Sequence, residues 1–126
     1  MKTILQTILI LIISLGSYNS YGQNFYLGVK SYEQSCTQER VYCYDESQLN
    51  WSLSSKRAVL YYGSNSTVIE SYAIIKFEYD AANDYYTYTF YDSKRNRYGV
   101  IVYFKPNHSL SMQYVNQPCS LDYFLY

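Results

Sequence analysis

Apolar and polar residues alternate along most of the chain after residue 23, which is the pattern of β-strands that are buried on one face. The clearest stretch is 85–91 (YYTYTFY), in which Tyr86, Tyr88 and Phe90 alternate with threonines. The stretch 98–104 follows the same rule with its valines in register. Beyond residue 23, no long segment has the i, i+3, i+4, i+7 spacing of an amphipathic helix. The sequence therefore predicts an all-β protein.

The other predicted strands are short, and polar turns separate them. They cover residues 25–30, 40–45, 50–53, 58–62, 67–79, 110–114 and 121–125. The turns between strands are rich in Gly, Pro, Asn, Asp and Ser, the residues that reverse a chain most easily. In the stretch 67–79, alternation predicts one face made of Ile69, Ala73, Ile75, Phe77 and Tyr79. The other face is expected to hold mostly Val68, Glu70, Tyr72, Lys76 and Glu78.

Eight or nine short strands at a spacing of about a dozen residues indicate an antiparallel meander. A single open sheet would leave its apolar face in water. The sequence therefore predicts that the meander closes as a small up-and-down barrel, with a two-layer β-sandwich as the alternative.

The N-terminal segment has the features of an export signal. Lys2 precedes an apolar run over 4–15, and the small residues Ser20 and Gly22 follow it. A helix that spans a membrane needs about 20 apolar residues, and this run is much shorter. We therefore expect a signal peptide over 1–22 that is cleaved before a single β domain over 23–126. The mature protein would reach the periplasm or the extracellular space with no transmembrane segment.

Charge and composition narrow the classes of function. The chain has 126 residues with ten basic and ten acidic side chains, and 48% of its residues are hydrophobic. Cleavage of the expected signal peptide would remove Lys2 and leave nine basic and ten acidic side chains in the mature chain. A chain with this balance is not built to hold nucleic acid by long-range electrostatics. The apolar fraction is enough for one packed core.

Three cysteines lie in the part of the chain that is expected to be exported, where disulfides persist. Cys36 and Cys43 are close enough to bridge a tight turn. Cys119 could instead pair with either of them and close a long loop, which the entropic model of disulfide stabilisation favours. The sequence leaves the three pairings open, and each leaves one thiol over.

Residues that could perform catalysis or bind a metal are sparse. His108 is the only histidine, and it sits in the turn 105–109. There is no G-x-S-x-G elbow and no C-x-x-C pair, so neither a nucleophilic triad nor a zinc site is expected. Glu70 and Glu78 would lie on one strand face about 26 Å apart, which is too far for paired-carboxylate chemistry. We expect a protein that is not an enzyme and has no cofactor.

Two features point to binding. Lys94, Arg95 and Arg97 cluster in one turn, which we interpret as a solvated hairpin tip or as a contact for a partner. Nineteen residues are tyrosine. Tyrosine has high strand propensity and covers the outer face of a sheet by cross-strand pairing. It also forms binding surfaces, because its ring is apolar and its hydroxyl is polar.

The order of strands and turns from Val59 to Val115, with an export signal that ends in SYGQ, resembles the small exported β-meander proteins of Bacteroidota, of the flavobacterial type. The resemblance covers about half of the mature chain, and the turn 92–97 lacks the glycine of those proteins. It implies export and a β fold, and it carries over no functional residue.

The expected function is that of an exported, non-enzymatic binding module for a small ligand, a glycan or a lipid. The ligand would bind on the surface or at the barrel mouth. The alternative is a protein–protein interaction or inhibitor domain that acts through its hairpin turns, with the basic turn or the turn 105–109 as the contact.

Overall fold

The computed structural model describes residues 24–34, 48–63 and 67–126. These residues form eight strands: β1 (Phe25–Gln34), β2 (Leu49–Leu53), β3 (Arg57–Tyr62), β4 (Thr67–Asp80), β5 (Tyr85–Asp92), β6 (Arg97–Phe104), β7 (Ser109–Tyr114) and β8 (Ser120–Leu125). Each strand pairs antiparallel with the next, and β8 pairs with β1 to close a barrel. The predicted all-β up-and-down barrel is confirmed. The signal segment 1–22 and the predicted strand 40–45 lie outside the described residues.

Two strands bend and act as corners of the barrel. The first part of β1, Phe25–Gly28, pairs with β2, whereas the part from Val29 onward pairs with β8. In β4, pairing with β3 ends at Ala73, and pairing with β5 begins at the same residue. Both strands carry a register shift at the change of partner. A bulge bends a strand and increases its twist, which lets one strand pass from one wall of the barrel to the next.

The bulge in β4 overturns part of the predicted face assignment. Glu70 and Tyr72 are buried, and the side chain of Ile75 is 56% exposed. Beyond the bulge, Phe77 and Tyr79 pack against the core. One extra residue shifts the alternation by one position. Even-numbered residues such as Glu70 and Tyr72 therefore point inward before the bulge, and odd-numbered residues such as Phe77 and Tyr79 point inward after it. The predicted faces are therefore wrong for Glu70, Tyr72 and Ile75. Ile69 packs against the core as predicted, next to a second register shift in the pairing of β4 with β3.

Large aromatic side chains fill the barrel interior. Those exposed by 6% or less are Trp51, Tyr72, Tyr86, Tyr88, Phe90, Tyr103 and Tyr123. Five of these seven are tyrosines, so the expectation that tyrosines mainly cover the outer face is wrong for them. The interior of an eight-stranded barrel is just wide enough for side chains to fill. Broad rings occupy that width, and the central part of the barrel is a packed core.

One end of the barrel, where β1 begins and β4 ends, is closed by aromatic rings packed edge-to-face and stacked; we call it the aromatic end. The ring of Phe25 lies 4.8 Å from Tyr86 and 5.0 Å from Tyr103, measured between centroids. Tyr79 stacks on Tyr86 at 4.4 Å, and its hydroxyl donates to Asp84 at 3.0 Å. Aromatic packing of this kind stabilises beyond the area it buries. The opposite end, where β5 ends and β6 begins, is closed differently, and we call it the polar end.

Candidate functional site

The turn that joins β5 to β6 lies at the polar end and is fixed from both sides. The carboxylate of Asp92 accepts hydrogen bonds from the backbone N–H groups of Lys94 at 3.0 Å and Arg95 at 3.2 Å. Asn96 adopts a left-handed conformation with φ of 55°, which asparagine tolerates better than most residues. The hydroxyl of Tyr91 donates to the side chain of Asn96 at 2.6 Å. The turn is therefore a rigid platform for the side chains it carries.

The turn between β4 and β5 repeats this local design at the aromatic end. Asp80 accepts a hydrogen bond from the backbone N–H of Asn83 at 3.2 Å, and Tyr79 donates to Asp84, whose φ is also 55°. Both turns share the pattern Tyr-Asp, three residues, then Asp or Asn. The two aspartates differ in environment, because Asp92 is only 1% exposed whereas Asp80 is partly exposed.

Asp92 belongs to a set of polar side chains that we call the arginine network: Glu70, Tyr72, Asp92, Arg95 and Tyr114. Arg95 donates from Nη1 and Nη2 to the two oxygens of Glu70, at 3.0 and 2.9 Å. Its Nη1 also donates to Asp92 at 2.7 Å. The hydroxyl of Tyr114 donates to the same Asp92 oxygen at 2.6 Å, and Tyr72 hydrogen-bonds Tyr114. Bidentate guanidinium–carboxylate pairs are among the strongest polar contacts in proteins.

The network shifts the proton affinities of its members. Burial alone would raise the pKa of Asp92, but the hydrogen bonds from Tyr114 and Arg95 outweigh it and hold the pKa below the usual range. Burial, followed by the hydrogen bond to Asp92, raises the pKa of Tyr114. The hydrogen bonds that Arg95 donates to Glu70 and Asp92 raise the pKa of its guanidinium, although burial by itself would lower that pKa. Asp92 and Arg95 are therefore both charged at neutral pH.

A cleft of about 190 Å³ opens beside the network at the polar end. Every network residue except Asp92 lines it, and the other lining residues include Gln34, Arg97, Gln113, Gln117, Cys119 and Leu121. The guanidinium of Arg97 lies over the ring of Tyr114, 5.7 Å from its centroid. Gln113 donates from Nε2 to the backbone oxygen of Gln117 at 2.7 Å. The cleft thus combines amide groups, a guanidinium and tyrosine rings in a small volume.

The three basic residues that were predicted as one cluster lie in three different environments. Lys94 is exposed at the tip, Arg95 is held in the network, and Arg97 lines the cleft. Sequence reasoning missed Glu70 and Asp92 as members of the site. The Tyr-Asp turn pattern could have marked Asp92, but Glu70 reaches the site only because of the bulge in β4.

Cys119 also lines the cleft. Cys36 and Cys43, the two candidates for its partner, lie outside the described residues. The identity of the pair therefore stays a prediction.

The residues considered for catalysis or metal binding lie apart. His108 is exposed in the turn before β7, with φ of 51°. Glu78 lies on the outside and pairs with Lys76 at 3.5 Å, whereas Glu70 is inside, so the expected shared face of the two glutamates is wrong. Within the described ranges, no group of three or more His, Cys, Asp and Glu side chains is placed to hold a metal ion.

Comparison with known proteins found no matching family model, no matching curated protein and no matching solved structure. In the part of the chain that the structure describes, no helix is both long and apolar enough to span a membrane. Since a fold does not by itself specify a function, the chemistry of the cleft has to indicate one.

Proposed function

We propose that the protein is a non-enzymatic binding module that takes a sugar residue of a glycan into the cleft at the polar end. The observation that carries the proposal is the lining of this cleft, in which Arg97, Gln113 and Gln117 lie beside the half-buried ring of Tyr114. Sugars present hydroxyls around an apolar ring face, and a site with a few placed polar groups next to amphipathic aromatic rings complements both.

The size of the cleft and the packed core favour a sugar over a lipid. Sites for drug-sized ligands measure roughly 300 to 1,000 Å³, and this cleft is smaller, at about 190 Å³. An acyl chain would need a long apolar tunnel, but the side chains of Trp51, Tyr88 and Tyr123 are at most 1% exposed in the centre of the barrel. One sugar unit with the rest of the glycan in solvent suits this volume.

The arginine network supports binding because it fixes one wall of the cleft. Arg95 makes three hydrogen bonds to two carboxylates that belong to different strands. Asp92 in addition holds the turn and the hydroxyl of Tyr114. A site whose side chains are already ordered loses less conformational entropy when a ligand binds.

The same contacts support a function other than catalysis. A general acid or base must lie within hydrogen-bond reach of a substrate proton. Both oxygens of Glu70 accept from Arg95, and both oxygens of Asp92 accept from the turn, Arg95 or Tyr114. These carboxylates serve the structure of the site and are not available to a substrate.

Export belongs to the same proposal and rests on the N-terminal sequence. A charged Lys2, the apolar run and the small residues Ser20 and Gly22 are the supporting features. N-terminal sequencing of the protein recovered outside the cytoplasm should read from Gln23. A protein retained inside the cell with its Met1 intact would contradict this part.

A titration with amide-resolved NMR tests the binding proposal. Neutral and acidic oligosaccharides should shift the signals of residues 97 and 113–121 more than those at the aromatic end. Gln117→Trp fills the cleft and should abolish these shifts, whereas Lys105→Trp, exposed at the other end, should leave them unchanged. No shift with any saccharide up to roughly 10 mM, ten times the concentration that half-saturates a weak millimolar site, would overturn the proposal.

One observation favours the alternative of a protein-binding or inhibitor domain. The basic turn is held rigid by Asp92 and Asn96, with Lys94 exposed at its tip. Inhibitory loops bind tightly when they are preorganised. If this alternative holds, Lys94→Ala should weaken capture of a purified protein partner, while Gln117→Trp should not affect it. The glycan proposal predicts the reverse for a saccharide: Gln117→Trp should abolish its binding, and Lys94→Ala should not affect it.

A further inference from the structure

Arg97 is the one cationic group of the cleft whose charge is not balanced by a carboxylate among the described residues. Arg95 is bound to Glu70 and Asp92. Arg97 pairs across the β5–β6 ladder with Asp92, but the carboxylate of Asp92 is already occupied by Arg95, Tyr114 and the turn. The contact recorded for the Arg97 guanidinium is the face of the Tyr114 ring.

The strand register fixes where this guanidinium lies. Residues directly opposite each other in a ladder share a face, and Asp92 faces the barrel interior. Arg97 therefore starts from the inward face of β6, and its side chain lies over Tyr114 at the mouth of the cleft. Stacking on the ring restrains the guanidinium plane and leaves its N–H edge available for hydrogen bonds.

We propose that the sugar bound in this cleft carries a carboxylate, and that Arg97 recognises it as a bidentate partner. This inference rests on the glycan-binding function proposed above and names the class of sugar, a uronic or other carboxylated one. Arginine presents its donors in a fork that matches the two oxygens of a carboxylate. Gln113 and Gln117 then supply neutral groups for the ring hydroxyls of the same sugar.

Arg97 rather than Lys94 carries this role because of position. Both belong to the same basic stretch, but Lys94 is exposed at the turn tip and does not line the cleft. A non-specific attraction of acidic glycans to the basic turn would depend on both residues alike. Recognition in the cleft depends on Arg97 alone, and this makes Lys94 a matched control.

The test compares three acidic saccharides with their methyl esters: trigalacturonate, a glucuronate disaccharide and N-acetylneuraminyllactose. Esterification removes the charge and keeps the ring, so calorimetric titration measures the contribution of the carboxylate. At least one acid should bind about tenfold more tightly than its ester, and added salt should reduce that difference. Acetate alone should not bind, because it lacks the ring.

The variants separate the carboxylate inference from the glycan-binding function on which it rests. Arg97→Gln should remove the preference for the acid and keep the binding of the ester, whereas Lys94→Gln should keep both. Unfolding curves of both variants should match that of the wild type. If acid and ester bind equally and Gln117→Trp blocks both, the glycan-binding function stands and the carboxylate inference fails. If Arg97→Gln keeps the preference, the inference fails as well, and if no saccharide binds, both proposals fall.

Discussion

Arg95 donates two hydrogen bonds to Glu70, a residue 25 positions earlier, at the point where the strands β4 and β5 have separated. The ladder between these strands begins only at Ala73 and Tyr91. Beyond it, the first part of β4 pairs with β3 alone. The ion pair therefore connects β4 to the turn that follows β5, at a level where the β4–β5 ladder has already ended.

Replacing Arg95 with alanine should destabilise the fold by about 2 kcal/mol. Removing one partner of a fully buried ion pair costs roughly 3 to 5 kcal/mol, and the Arg95 side chain is 39% exposed, so water compensates part of the loss. Lys94→Ala, in the same turn but exposed and without a side-chain partner among the described residues, should change the unfolding free energy by less than about 0.5 kcal/mol. Urea denaturation of both variants gives the comparison. Equal midpoints would show that the Arg95 contacts do not stabilise the barrel.

Stability should fall in acid because of Asp92. Its pKa is held below the ordinary value of 3.8 in the folded protein, so its contribution is complete above that value. The contribution is lost as the pH falls through the lower folded pKa, since the unfolded state then binds more protons. We expect a flat denaturation midpoint from pH 7 to about pH 5 and a decline below about pH 4.

Asp92→Asn should lower stability at pH 7 and flatten that decline. Asp80→Asn is the matched control, because Asp80 occupies the same place in the other turn and is more exposed. The pKa of Asp80 is also lowered, first by the side chain of Asn83, so a small part of the slope belongs to it. An acid slope that survives in Asp92→Asn and disappears in Asp80→Asn would contradict the assignment.

Tyr114→Phe should cost about 1.5 kcal/mol, the lower part of the range for a hydrogen bond to a charged group. The lost hydroxyl donates to the buried carboxylate of Asp92 at 2.6 Å. Tyr91→Phe removes an equally short bond, but to the neutral and exposed Asn96, and should cost less. Thermal denaturation of the two variants ranks them. The opposite order would mean that the charge of Asp92 does not strengthen its bond to Tyr114.

Gly99→Ala should destabilise the barrel by roughly 1 to 3 kcal/mol, as expected for overpacking. A Cβ atom at this position would lie 2.4 Å from Cζ of Phe90 and 2.9 Å from the backbone oxygen of Gln113. Gly28→Ala provides the control, because its Cβ would meet only the exposed ring of Tyr126, at 3.3 Å, and the side chain of Asn50. Trimming the ring in Phe90→Leu/Gly99→Ala should recover part of the loss. Chemical denaturation that finds the two alanine variants alike would contradict the close packing of Phe90 on Gly99.

The sequence alone determined the class of the fold and the positions of most strands. Residues 85–91 and 98–104 alternate between apolar and polar, and Asx-rich turns lie between the strands. This pattern identifies the segments as strands, because a strand that buries one face imposes a period of two. The predicted bounds agree with β5, β6 and β7 to within one residue. The need to cover an apolar face left a barrel or a two-layer sandwich, and the pairing of β8 with β1 decided for the barrel.

Only the tertiary structure decided what lies at the polar end. The bulge in β4 places Glu70 inside the barrel, and no local pattern marks which residue of the apolar run 73–75 is the inserted one. Arg95 resembles Lys94 and Arg97 in sequence, yet it binds Asp92, three residues before it, and Glu70, 25 residues before it on a part of β4 that no longer pairs with β5. Long-range pairs of this kind depend on register and curvature, which arise from the whole sheet and not from any one strand.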